Sequence, residues 1–175
     1  TMQLNAANTY NGTTTINAGS LLYNINNAIA TGAVTVNGGI LDIATFSDAV
    51  GAVTLTNGSI DGTTGVLTGT SYAMQNGSVS AILAGAVNLT KTTTGTVTLS
   101  GVNTYTGITA INAGILSVST IGNGGVAGNM GAATSTATNF VMGCCTLQYT
   151  GATASTNRNY VFSTRTTSTI ELVTN

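Results

Sequence analysis

The chain has 175 residues, of which 42% are hydrophobic, which is enough for one domain with a continuous buried core. Only 4% are charged: Lys91, Arg158 and Arg165 stand against Asp42, Asp48, Asp61 and Glu171, for a formal net charge of -1. Phosphate recognition needs clustered Lys and Arg, and a membrane helix needs an apolar run of about 20 residues, so nucleic-acid binding and membrane insertion of this segment are both excluded as expectations.

The polar residues are mostly Thr, Ser and Asn, with 23 Gly and no Pro, Trp or His. Disorder goes with low hydrophobicity and high charge, whereas the mean hydropathy here is +0.35. Thr, Val and Ile suit a pleated surface, Gly and Asn suit turns, and no long stretch shows helical spacing, so the chain reads as all-β. No basic, apolar, then small-residue leader opens at Thr1, so the sequence is expected to be a mature product or an excerpt of something longer.

The first predicted element is Asn8-Thr9-Tyr10-Asn11-Gly12 with its continuation Ile16-Asn17-Ala18-Gly19-Ser20-Leu21. Three weaker relatives follow: Val34-Thr35-Val36-Asn37-Gly38-Gly39-Ile40-Leu41, Val53-Thr54-Leu55-Thr56-Asn57-Gly58-Ser59-Ile60 and Tyr72-Ala73-Met74-Gln75-Asn76-Gly77-Ser78-Val79. The first element then returns as Asn103-Thr104-Tyr105-Thr106-Gly107 with Ile111-Asn112-Ala113-Gly114-Ile115-Leu116, at an offset of 95. Taking Gly19, Gly39, Gly58, Gly77, Gly95 and Gly114 as structural repeat turns gives steps of 20, 19, 19, 18 and 19. A meander of Asn-Gly hairpins would show the same dipeptides, but not so constant a step. The spacing therefore predicts a right-handed parallel β-helix, a β-solenoid with rungs of about 19 residues, in which like residues form columns at about 4.8 Å per rung.

After Gly114 the next corner falls at Cys144-Cys145, and the glycine-rich stretch from Gly122 to Gly131 reads as a loop leaving the wall, free to carry a binding surface. Residues 1–175 are read as a single solenoid segment, with regular rungs over 1–120, an inserted loop over 121–138 and further rungs over 139–175. Neither end looks like a polar cap, and Ser168-Thr169-Ile170-Glu171-Leu172-Val173 alternates as a strand does. The segment is therefore expected to continue in a longer structure or to stack end to end.

The run Leu89-Thr90-Lys91, through Gly95-Thr96-Val97-Thr98-Leu99-Ser100-Gly101-Val102-Asn103-Thr104-Tyr105-Thr106-Gly107, to Ile111-Asn112-Ala113-Gly114 closely resembles the autotransporter-associated β-strand repeat of bacterial passenger domains. Residues 1–22 and 89 to about 172 carry the resemblance; residues 23–88 share only the period. It implies a large, exported, repetitive β-helical protein, secreted or displayed on the bacterial cell surface, adhesive or structural in role. The chain departs from it at Gly143-Cys144-Cys145, where Asn-Gly-Gly is common, and in having no outer-membrane barrel after Glu171.

Neighbouring strand residues face opposite ways, so one of Cys144 and Cys145 is expected buried and the other exposed; a vicinal or an intermolecular disulfide stays open as an alternative. Zinc lacks ligands without His or further Cys. Asp42 and Asp61, 19 apart, are expected to stack on the outer face as a weak metal candidate. Solvated surface charge is the plainer reading, since no Arg or Lys lies nearby and calcium takes six or more oxygens. Without His there is no Ser-His or Cys-His nucleophile, and no cofactor is expected. Tyr10 and Tyr105 occupy equivalent places and read as packing residues, while Arg158 and Arg165 are too isolated for a basic patch. The expected function is a non-enzymatic extracellular rod or self-assembling fibre subunit, associating end to end or laterally. The competing reading is a polysaccharide-binding or polysaccharide-cleaving β-helix, with a cell-surface or polysaccharide ligand.

Overall fold

The computed structural model describes residues 1–163 and 167–173, and over these the chain is a parallel β-solenoid of nine turns. Three walls are built up one strand per turn. The first stacks Thr14–Ile16, residues 34–36 and 53–55, Ser71–Met74, Leu89–Lys91, Thr109–Ile111, Phe140–Met142 and Val161–Phe162. The second runs the whole length, from Met2–Leu4 and Ser20–Tyr23 through residues 40–42 and 59–60 to Gly77–Val79, Thr96–Leu99, Gly114–Val118, Cys145–Tyr149 and Thr169–Leu172. The third is short: Asp48–Ala49, Val66–Thr68 and Ile82–Ala84. In two turns a single strand, Val34–Asp42 or Ala52–Asp61, serves both long walls. Among the described residues no helix is long and apolar enough to cross a membrane.

Because side chains alternate along a strand, each wall sends one set inward, and the registers line that set up into columns. The second wall's inner column is Leu21, Leu41, Ile60, Val79, Leu99 and Val118, all buried. Fully burying such a side chain contributes about 1.5–3 kcal/mol, so the columns are the main source of stability. Outward positions of the first wall hold Thr15, Thr35, Thr54 and Thr90, β-branched residues that suit a half-exposed pleat.

At the corner between the long walls the asparagines pair with one another: Asn37 Nδ2 donates to Asn17 Oδ1 (3.2 Å) and Asn76 Nδ2 to Asn57 Oδ1 (2.9 Å). Glycine is required there for two reasons. Gly58 and Gly77 have φ of 97° and 119°, and a Cβ on either would lie 2.1 or 2.2 Å from the carbonyl oxygen of the rung below. Two of the six expected turn glycines depart from this pattern. In the Gly38-Gly39 corner it is Gly38 that takes the left-handed conformation. Gly95 is out of register with Gly77 and in register with Gly114 instead: Lys91 pairs with Met74 but Val97 pairs with Gly77, so the intervening corner is three residues longer. A glycine marker misses this because the strands, not the turns, hold the register.

The segment between Gly114–Val118 and Phe140–Met142 is an insertion, but it does not leave the wall as expected. It folds back, with Gly128 bridging to Asn103, and buries Asn129, Met130 and Ala133 against the solenoid. Enough backbone groups find partners on the wall to make the docked arrangement preferable to a projecting loop.

Candidate functional site

Asp42 and Asp61 are direct register partners on the second wall, one rung apart. Each carboxylate is already engaged: Asp42 Oδ1 accepts the Ala44 N–H (2.9 Å) and Asp61 Oδ2 the Ser59 hydroxyl (3.0 Å). Among the described residues no three His, Cys, Asp or Glu side chains gather into a group able to hold a metal ion. Two carboxylates supply fewer oxygens than calcium takes.

At the cysteine corner the structure places Cys144 outside and Cys145 inside, the latter in register with Gly114 of the preceding rung. The left-handed residue moves with this change: Gly114 has φ 69° in its own corner, whereas here Cys144 carries φ 51°, a conformation non-glycine residues seldom adopt. Burial pushes the Cys145 thiol up, so it stays protonated and is a poor nucleophile.

Beneath this corner lies a residue that sequence reasoning passed over. Lys91 is fully buried and occupies an otherwise apolar inner column, between Met74 and Ile111. Its Nζ donates to the carbonyl oxygens of Thr93 and of Ala113, both in half-buried corner segments. Burial lowers its pKa, with the neighbouring Cys145 acting in the opposite direction. Aligning Leu89-Thr90-Lys91 with Tyr72-Ala73-Met74 and Thr109-Ala110-Ile111 would have found it, because alternation makes Lys91 inward-facing in that frame.

Asp48 was passed over in the same way. It stands at the start of the third wall, 3% exposed, with Oδ2 accepting the Ile29 N–H at 3.0 Å. Its Oδ1 and the buried Tyr23 hydroxyl are neighbours that do not reach hydrogen-bond geometry, and both lack a partner. Burial raises the Asp48 pKa, opposed by backbone N–H donors. Burial first, and the Asp48 carboxyl second, push the Tyr23 phenol up. At the other end of the same wall Asn103 does this task without a charge: its Oδ1 accepts the Leu83 N–H (2.9 Å) and its Nδ2 donates to the Asn129 carbonyl (2.8 Å).

Arg158 is a staple rather than a lone surface charge. Its guanidinium donates to the carbonyls of Gly131 (2.7 Å), Gly122 (2.9 Å), Ala133 (3.3 Å) and Val126 (3.3 Å), holding the insertion in place. Arg165 lies outside the described residues. Tyr10 and Tyr105 make the same bond to a Thr four residues on, Thr14 at 2.6 Å and Thr109 at 2.9 Å. Tyr105 is wholly buried under the insertion, and Tyr10 is 44% exposed. Lys91, Asn103 and Arg158 thus bind the chain's own backbone, and their arrangement is that of structural fasteners.

The passenger-associated-transport-repeat family model matches residues 1–22 and 89–118. The adhesin BmaC autotransporter of Brucella suis biovar 1 (strain 1330) is 32% identical over 155 residues, which cover 86% of this chain and 4% of that protein. This chain therefore spans a small fraction of that relative's length. No solved structure matches the chain.

Proposed function

We propose that this chain, a passenger-type β-solenoid with passenger-associated-transport repeats at residues 1–22 and 89–118, is a stiff, non-enzymatic segment of an extracellular adhesive or structural rod at the bacterial cell surface. The observation that carries the reading is the unbroken second wall: one parallel strand in each of nine turns, with inner columns running from end to end. Such a stack resists bending because every rung is tied to its neighbours by ladder bonds and a shared core. The autotransporter likeness supports placement outside the cell and an adhesive role.

The terminal rungs support association. Met2 at one end is 63% exposed, and Phe162, Ile170 and Leu172 at the other are 45%, 44% and 72% exposed, so apolar columns and strand edges face solvent. Another rung, from the same polypeptide or from a second copy, would cover them. Lateral contact meets little charge repulsion on a chain with net charge -1. Sedimentation velocity and electron microscopy of the purified chain at rising concentration are the test. Elongated particles that lengthen with concentration are expected; a compact monomer throughout would overturn the reading.

A further inference from the structure

The sequence contains five Asn-Gly dipeptides, at Asn11, Asn37, Asn57, Asn76 and Asn123. In this dipeptide the glycine's backbone nitrogen is unhindered enough to attack the asparagine side chain, provided the local backbone can bend to bring the two together. The solenoid treats the five differently. Asn37-Gly38 and Asn57-Gly58 lie inside the strands Val34–Asp42 and Ala52–Asp61, and Asn76 precedes the strand Gly77–Val79. Their side chains are tied into the corner ladder, Asn37 to Asn17 and Asn76 to Asn57. Their glycines are wedged against the rung below: a Cβ on Gly38 would lie 2.9 Å from the Asn17 carbonyl oxygen, and Gly58 and Gly77 are tighter still. At Asn123 the amide and the following nitrogen are both engaged, Asn123 Oδ1 by the Asn157 N–H (3.0 Å) and the Gly124 N–H by Asn157 Oδ1 (2.8 Å).

Asn11-Gly12 is held on one side only, its carbonyls lying under Gly32 of the next rung, and the Asn11 side chain and the Gly12 nitrogen are left unrestrained. Both residues are exposed, they lie outside any strand, and an added Cβ on Gly12 would meet nothing within 4 Å. Neither the Asn11 side chain nor the Gly12 N–H makes a hydrogen bond among the described residues. The second copy of the motif has Thr106 in the place of Asn11, so this chemistry belongs to the first copy alone.

We propose that Asn11 is a spontaneous deamidation site of the folded rod, and that the solenoid corners and the Asn157 contact protect the other four Asn-Gly pairs. The Gly12 nitrogen gives up its proton to hydroxide, forming water, and bonds to Asn11 Cγ; Nδ2 takes a proton from water, the Cγ–Nδ2 bond breaks and ammonia leaves, closing a succinimide and regenerating hydroxide. Water then adds to either ring carbonyl and opens it, leaving aspartate or isoaspartate in the chain. The product carries one more negative charge, which takes the formal net charge from -1 to -2.

The test is to incubate the folded full chain in mildly alkaline buffer, follow all five asparagines by peptide mass mapping, and run a urea-unfolded sample beside it. Expected is conversion at Asn11 in the folded chain, with an acidic shift on native isoelectric focusing, the other four lagging several-fold, and all five converting at similar rates once unfolded. The variant Gly12→Ala, which has room for its methyl group, is expected to slow the folded-state reaction several-fold without altering the fold. Conversion of Asn37, Asn57 or Asn76 as fast as Asn11 in the folded chain would overturn the proposal. So would an Asn11 that stays intact while the unfolded control reacts, or a Gly12→Ala variant that reacts as fast as the parent.

Discussion

Replacing Asp48 by Asn should make the protein more stable at neutral pH. Asp48 is 3% exposed, its Oδ1 and the Tyr23 hydroxyl are buried without partners, and burial holds its pKa above the ordinary value of 3.8. An Asn keeps an oxygen to accept the Ile29 N–H, has an N–H2 to pair with Tyr23, and brings no charge to be desolvated, as the uncharged Asn103 does beside Leu83 and Asn129. An unsatisfied buried polar group costs about 1–3 kcal/mol, so Asp48→Asn is expected to gain an amount of that order. With a urea dependence of roughly 1–3 kcal/mol per molar, the unfolding midpoint should rise by about 1 M. The pH dependence follows from the raised pKa. Above 3.8 the unfolded chain releases this proton while the folded chain retains it, so wild-type stability falls as pH rises from 3.8 through the folded value. Below 3.8 the carboxyl is neutral in both states and no charge is buried on folding, so the gap between variant and parent should close. Urea titrations across this range, with hydrogen exchange at the Ile29 amide as the local probe, measure both effects. Equal or lower stability of the variant at neutral pH, or a gap that widens on acidification, would refute the reasoning.

Lys91→Met should be neutral or stabilising by about 1 kcal/mol at neutral pH, since a buried ion is exchanged for an apolar side chain among Met74, Ile111 and Met142. Lys91→Ala should cost about 2–5 kcal/mol through the cavity it leaves. The lowered Lys91 pKa means that wild-type stability rises as pH climbs towards 10.5, a slope the Met variant should lack in alkaline urea titrations. Arg158→Ala removes four donors to the insertion and should cost about 1.5–3 kcal/mol, with faster hydrogen exchange confined to residues 120–136; loss spread evenly over all rungs would contradict the staple role. Tyr105→Phe should lose about 1 kcal/mol with its buried Thr109 bond, whereas Tyr10→Phe, at an exposed site, should change the melting temperature little. Equal effects would show that the insertion does not decide the difference.

The matching apolar patterns at residues 16–21 and 111–116, five rungs apart, are enough to foresee a stacked parallel coil with Val, Ile and Leu inside and Thr outside. That much is local: a period repeated along a chain demands like environments, and strand alternation assigns each residue a side. At Gly39 and Gly95 the glycine spacing does not give the register, since a glycine marks a turn but the register is set by the strands on either side of it. Lys91 and Asp48 go unmarked in the sequence for a related reason. A charged side chain looks like surface until the rungs above and below are known, and the third wall, where Asp48 sits, is built from strands of only two or three residues. The fate of the insertion was decided wholly by the tertiary structure. Gly122-Asn123-Gly124-Gly125 is turn-forming by composition, yet Asn103 and Arg158, distant in sequence, supply the hydrogen bonds that lay it against the wall. A repeat announces itself along the chain because its contacts recur at one spacing, whereas each of these fastenings joins a single pair of distant places, and only the folded molecule brings such pairs together.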